Sequence, residues 1–127
     1  MKKLIITEHT NTTPNISLDY CSGLLKIKGN SFSFDSKTFW MGVMDKIGEL
    51  MSYIETIEIE LNHVSSNSIP YILKLINFNY ININWVYDEL DEDMYNLGED
   101  LESITKSTFN FYPVVTEFSF NSTEFCV

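Results

Sequence analysis

The chain of 127 residues reads as a single α/β domain, a mixed β-sheet with about three helices packed mainly on one face. Three observations carry that expectation. Apolar residues alternate with period two between Ile16 and Ile27. From Ser36 onward, stretches of helical period and stretches of strand period take turns. With 44% hydrophobic and 14% aromatic residues, the chain can also bury a core of its own without disulfide or metal staples.

The elements follow in order. "LIIT" (4–7) reads as a short first strand, and a loop through Pro14 follows it. "ISLDY" alternates Ile16, Leu18 and Tyr20; after the turn at "CSG", "LLKIKG" sets Leu25 and Ile27 against Lys26 and Lys28. Two alternating runs about a glycine-bearing turn predict a β-hairpin. The period then changes. Trp40, Val43, Met44, Ile47, Leu50, Met51 and Ile54 recur at helical spacing, which predicts an amphipathic helix capped by Asp35 or Ser36. At this spacing its methionines read as core rather than as a sticky outer face.

"TIEIEL" returns to period two, with Ile57, Ile59 and Leu61 on one face. In "SIPYILKLINF", Ile69, Ile72, Leu73 and Ile76 form a second helical stripe. Pro70 fits only in a first turn, so that helix should begin near Asn67 or Ser68. "YININWVYD" predicts a strand with Ile81, Ile83, Trp85 and Tyr87 on one face. "DEDMYNLGEDLESIT" predicts a third helix through Met94, Leu97, Leu101 and Ile104, and "FNFYPVV" a closing strand. Right-handed crossovers between the later strands make that half of the sheet parallel and put the helices on one side, as in STAS-like α/β domains. The domain is expected over 1–114, with 115–127 an extension that adds an edge strand or trails off.

The formal net charge of −10, from 18 acidic and 8 basic residues, repels phosphates and anionic lipids. Nucleic acid and membrane are therefore disfavoured as direct partners, and basic protein surfaces favoured. Cys21 and Cys126 lie near no metal-ligand cluster and read as two reduced thiols. Lys2 and Lys3 precede only Leu4–Ile6 before Glu8 and His9, too short an apolar run for a signal peptide. A cytoplasmic protein is expected, its sequons at Asn11, Asn15 and Asn121 unused. Enzyme signatures are missing: there is no phosphate-cradling glycine loop and no nucleophile elbow, and His9 and His63 have no ligand spacing. Neither catalysis nor a cofactor nor a metal is expected.

Two segments carry chemistry. Asp88, Glu89, Asp91, Glu92 and Asp93, then Glu99, Asp100 and Glu102, make the densest charge in the chain, without the glycine and distal glutamate of an EF-hand. Carboxylates in a first helical turn oppose the positive end of the helix dipole, worth roughly 0.3–1 kcal/mol each. The other reading is an acidic docking face for a basic partner, made by Asp91, Glu92, Asp93 and Glu99. In "NHVSSNS" (62–68), Ser65, Ser66 and Ser68 precede a helix whose free N–H groups their hydroxyls could cap. The same position would suit a phosphoryl group.

Together the pieces resemble the SiaC family of bacterial regulatory phosphoproteins over roughly residues 5–114. The opening "TTPNISLDYCSGLLKIKGNS" is similar to the family's pattern through Thr13, Pro14, Asp19, Gly23, Ile27, Gly29 and Ser31. "FW" at 39–40 stands where the family usually has Phe-Tyr, and "FNF" at 109–111 resembles its closing strand. "NWVYDELDEDMYNLGEDLE" is similar to its signature through Trp85, Asp91, Glu92, Asp93, Met94, Gly98 and Glu99. The resemblance implies a non-enzymatic partner-switch protein. A kinase would phosphorylate it, a PP2C-type phosphatase would reverse this, and the unphosphorylated form would bind and activate a diguanylate cyclase in c-di-GMP signalling. It also implies a switch region at Asn62, His63, Val64, Ser65 and Ser66, where the family has an N-T-x-S-S-K-like motif. Here the motif's threonine falls on His63, or on Val64 when the strand is matched without a gap, and its lysine is replaced by Asn67 or Ser68. Phosphorylation has then either moved to Ser65 or Ser66 or been lost. A different class of reading is an acidic inhibitor or immunity protein masking a basic toxin site.

Overall fold

The computed structural model describes residues 3–77 and 81–115. Its elements come in the predicted order: β1 (Lys3–Thr7), β2 (Asn15–Asp19), β3 (Leu24–Ser31), α1 (Ser36–Leu50), β4 (Thr56–Val64), α2 (Ile69–Ile76), β5 (Asn82–Asp88), α3 (Glu92–Ile104) and β6 (Thr108–Val114). A 3₁₀ turn over Met51–Tyr53 extends α1. The expected C-terminal edge strand falls on 116–127, outside the described residues, as does Cys126.

The six strands lie side by side in chain order, β1-β2-β3-β4-β5-β6. β1, β2 and β3 are antiparallel, and β3 to β6 are parallel. Three successive crossovers that step in one direction with one hand must lay all three helices on one face. On that face Ile27, Ile59, Ile83 and Trp85 of the sheet meet Trp40, Val43 and Ile47 of α1, Ile72 and Ile76 of α2, and Met94 and Leu101 of α3. The opposite face is polar. Lys26 pairs with Glu58 at 3.7 Å, Lys28 with Glu60 at 3.9 Å, and Asn110 donates to Asn84 at 3.3 Å. These half-exposed pairs add little stability but keep the face wet.

Local chemistry sets the turns. Asp19 Oδ1 accepts the Cys21 N–H at 2.9 Å, and Gly23 closes the β2–β3 turn at φ 68°, where a Cβ would stand 2.8 Å from Glu55 Cγ. The Gly23 carbonyl then accepts the N–H groups of both Glu55 and Thr56, which starts β4 alongside β3. Pro113, which has no N–H to give, sits in β6, a strand paired on one side only among the described residues. Three side-chain expectations are corrected. Tyr20 lies in the turn beyond β2, 39% exposed and edge-on to Tyr53, rather than in the strand's inner row. Leu75 is fully buried although it is off the expected stripe, because α2 is short, apolar nearly all round, and wedged beside α1. Ile104 is 62% exposed because α3 ends there.

The parallel half also fixes geography. β3, β4, β5 and β6 end at Ser31, Val64, Asp88 and Val114, all on one edge of the sheet. Loops that are far apart in sequence therefore meet there.

Candidate functional site

The first feature of this edge is a knot of hydroxyls. Ser31 at the end of β3 accepts the Trp40 indole N–H at 3.0 Å and donates to Ser68 Oγ at 2.9 Å. Ser68 donates in turn to the Ser31 carbonyl at 3.0 Å. Ser36, in the first turn of α1, lies 3.1 Å from Ser68 Oγ and donates to the Ser33 carbonyl at 2.8 Å. Ser65 Oγ is 3.0 Å from Ser68 Oγ and donates to Asn67 Oδ1. Ser31, Ser36 and Ser68 are buried and Ser65 half-buried, so the 65–68 loop is stitched to β3 and to the start of α1 by groups that water does not reach freely.

This corrects the capping expectation. Ser68 does occupy the N-cap of α2, with Pro70 in the first turn, but its side chain makes no bond to the helix N–H groups. The hydroxyl faces its serine neighbours instead. Ser66 differs from all of them: it is exposed and makes no side-chain hydrogen bond among the described residues. Ser31, Ser36, Trp40 and Asn67 are site residues that sequence reasoning missed. Each left a trace only in another role: Ser31 as the last position of the opening pattern, Ser36 as a cap candidate, Trp40 in the "FW" pair, and Asn67 where the motif has its lysine.

Just before this loop β4 carries a bulge. Leu61 pairs with Gly29 and His63 with Asn30, so Asn62 is the extra residue. Gly29, at φ 134°, takes the backbone past Pro14 and His9, where a Cβ would stand 3.3 Å from each. Bulges re-aim side chains, and here Asn62 and His63 are both exposed. They form one wall of an open cleft of about 660 Å³, whose other wall is Asp88, Glu89, Leu90, Asp91, Glu92 and Asp93, with Leu61 and Val115 completing it. The cleft thus joins the end of β4 to the acidic turn after β5. Glu99 is not part of it. It sits a turn further along α3, where it accepts the Tyr95 hydroxyl at 2.9 Å, and that bond together with its charge holds the phenol above its ordinary value of 10. Among the described residues no group of His, Cys, Asp or Glu is placed to hold a metal ion.

The carboxylates have a structural task as well. Asp91 caps α3, its Oδ1 accepting the Met94 N–H at 3.0 Å, with Glu92 and Asp93 in the first turn. Asparagine caps as well as aspartate, so replacing Asp91 and Glu92 together by asparagine should cost about 1 kcal/mol or less, read from urea melts. Trp85 of β5 lies under the same helix and donates its indole N–H to the Met94 carbonyl at 3.0 Å. Gly98 lets it lie there, since a Cβ at 98 would meet the indole. Trp85, Asp91, Met94 and Gly98 form one packing device, a cap and a close helix–sheet contact set by their spacing.

No curated protein sequence matches this chain. In a crystal structure of apo-SiaC from Pseudomonas aeruginosa, a chain 20% identical to this one superimposes with a TM-score of 0.71, covering 88% of this chain and 99% of that one. In the crystal structure of the diguanylate cyclase SiaD in complex with its activator SiaC, from the same organism, the matching chain is also 20% identical and gives 0.73, over 87% and 99%. At that identity the likeness establishes a common fold. The model of the SiaC family regulatory phosphoprotein matches residues 7–114, from the last residue of β1 to the last residue of β6, and so spans every element from β2 to β6. On that match, the chain belongs to the SiaC family of regulatory phosphoproteins.

Proposed function

We propose that this protein is a non-enzymatic cytoplasmic regulator that binds a diguanylate cyclase and modulates its activity, with binding governed by a phosphoryl group on the 62–68 loop. Family membership and the SiaC activator in the SiaD complex support the partner class. The observation that carries the reading furthest is the meeting of Asn62 and His63, which lead into the 65–68 loop, with the acidic 88–93 turn in one cleft. A partner docked there would touch both.

Of the two hydroxyls next to the family's threonine position, Ser66 is the better acceptor. Its Oγ is exposed and unengaged, whereas that of Ser65 is held by Asn67 and Ser68. A kinase and a PP2C-type phosphatase would write and erase the mark. A phosphoserine adds about −1.5 to −2 charge. On an exposed loop the fold tolerates this, but a docked partner would have to strip the phosphate of water. The rival reading, an acidic inhibitor of a basic toxin, has only net charge in its favour.

The test is calorimetric titration of the protein into a diguanylate cyclase from the same organism, with c-di-GMP synthesis measured alongside and phosphopeptides mapped from native cells. Wild type and Ser66→Ala should bind and change the synthesis rate, and Ser66→Asp should bind at least tenfold more weakly. A cyclase that neither binds nor changes rate overturns the reading. An unmodified loop with Ser66→Asp binding like wild type would remove the phosphoryl control.

A further inference from the structure

The cleft edge has a property the carboxylates alone do not explain: it is studded with large apolar side chains that none of the described residues covers. Leu90, at the tip of the turn between Asp88 and Asp91, is 87% exposed. Phe34, in the loop from β3 to α1, is 102% exposed, and Phe32 two residues earlier is 42% exposed. Phe32 stands edge-on to His63 with ring centroids 6.2 Å apart, and His63 lines the same cleft as Leu90. Since β3 and β5 are separated only by β4, their ends at Ser31 and Asp88, one residue before Phe32 and two before Leu90, lie on the order of 10 Å apart. Isolated exposed apolar residues mean little. Here they flank a concave acidic patch on one edge, the pattern of anchor residues around a polar recess that protein interfaces use.

We infer that this edge is a docking surface for a protein segment that presents a lysine or arginine beside a large apolar side chain, the cation entering the cleft and the apolar group packing on Leu90 and the Phe32–Phe34 loop. Charge decides the occupant. The cleft lining holds Glu89, Asp91, Glu92 and Asp93 and no lysine or arginine, so a cation is attracted and an acidic segment repelled. A second copy of this chain fits poorly: a two-fold contact would set these carboxylates against their own duplicates, on a molecule of net charge −10. Phosphate-bearing partners fail on the same ground. The inference rests on the proposed partner-binding role for its biological meaning, but the surface chemistry stands by itself and can be tested by itself.

Titration of ¹⁵N-labelled protein with three synthetic dodecapeptides tests it, one carrying two Lys–Leu pairs, one Glu–Leu and one Lys–Ser. The Lys–Leu peptide should shift the amides of His63, Leu90, Glu92 and Phe34 and bind at least tenfold more tightly than either counterpart. Leu90→Ser with Phe34→Ser should bring it down to the level of Lys–Ser, and with both side chains in solvent the variant should melt like wild type. Equal binding of Lys–Leu and Lys–Ser, or shifts spread over other acidic positions, overturns the inference. A parallel titration with the cyclase separates the two proposals. If wild type and the double variant bind the cyclase equally, this surface is wrong and the partner reading stands. If the peptide binds at the cleft and the cyclase does not bind at all, the surface stands and the partner reading falls.

Discussion

Gly98→Ala should destabilise the protein by about 2–3 kcal/mol, the upper part of the roughly 1–3 kcal/mol that forcing an extra carbon into a packed contact usually costs. The sign matters more than the size. In an open helix interior the same change stabilises, because alanine is the better helix former by about 1 kcal/mol. At position 98 the new Cβ would stand 2.6 Å from Trp85 Nε1, 2.7 Å from its Cδ1 and 2.8 Å from Phe111 Cε2. None of these is the loose end of a flexible chain. Trp85 is 1% exposed in the middle of the sheet, and its indole is fixed by the bond to the Met94 carbonyl. α3 would have to lift, opening that bond and the contacts of Met94 and Leu101 with the core. Gly42→Ala and Gly48→Ala are the controls. Both lie in α1 with nothing within 4 Å of an added Cβ, and each should stabilise by roughly 0.5–1 kcal/mol. Urea melts of the three variants decide it; a stabilised Gly98→Ala would mean that α3 does not sit flat on Trp85.

That contact also shows what the sequence could and could not disclose. Periodicity revealed the elements, because each helix and strand turns one apolar row to a common core, and crossover handedness then fixed the sheet. Asp35, Asp91 and Pro70 marked helix starts by chemistry that is local to a few residues, and the structure has Asp35 and Asp91 as caps and Pro70 in a first turn. The spacing of Trp85, Met94 and Gly98 was visible as a pattern but not as a contact, since nothing in one dimension says that an indole lies under a helix. The hydroxyl knot was hidden for the same reason: Ser31 and Ser68 are 37 residues apart, and serine has no periodic signature. The bulge at Asn62 was likewise silent, yet it gives the one-residue offset between the two ways of matching the switch motif a structural counterpart. The acidic run had two readings, helix start and docking face; Asp91 caps α3 and also lines the cleft, so the structure is compatible with both.

Ser68→Val should cost about 3 kcal/mol, more than the loss of an ordinary N-cap, because it leaves the buried Ser31 hydroxyl without its acceptor and forces a larger side chain into a filled site. Ser68 is fully buried, and its hydroxyl both receives the Ser31 hydrogen and supplies one to the Ser31 carbonyl. A valine, one heavy atom larger, does neither. The Ser31 hydroxyl is left without its acceptor, while its oxygen still has to receive the Trp40 N–H. Ser36 and Ser65 lose a neighbour at 3.1 and 3.0 Å, although each keeps another acceptor. Each buried group left unsatisfied costs about 1–3 kcal/mol, against well under 1 kcal/mol for Ser66→Val on the exposed side of the same loop. If Ser68 acted as a conventional cap, aspartate would replace it at little loss. In the hydroxyl knot a carboxylate would be buried beside the Ser31 carbonyl, so Ser68→Asp should fare no better than valine. The loop should also loosen locally. The Ser65 N–H, bonded to the Ser31 carbonyl at 2.8 Å, should exchange with solvent faster in Ser68→Val even under conditions where the rest of the sheet stays protected. Urea melts and amide exchange read the two effects separately. An aspartate variant as stable as wild type would return Ser68 to a simple capping role.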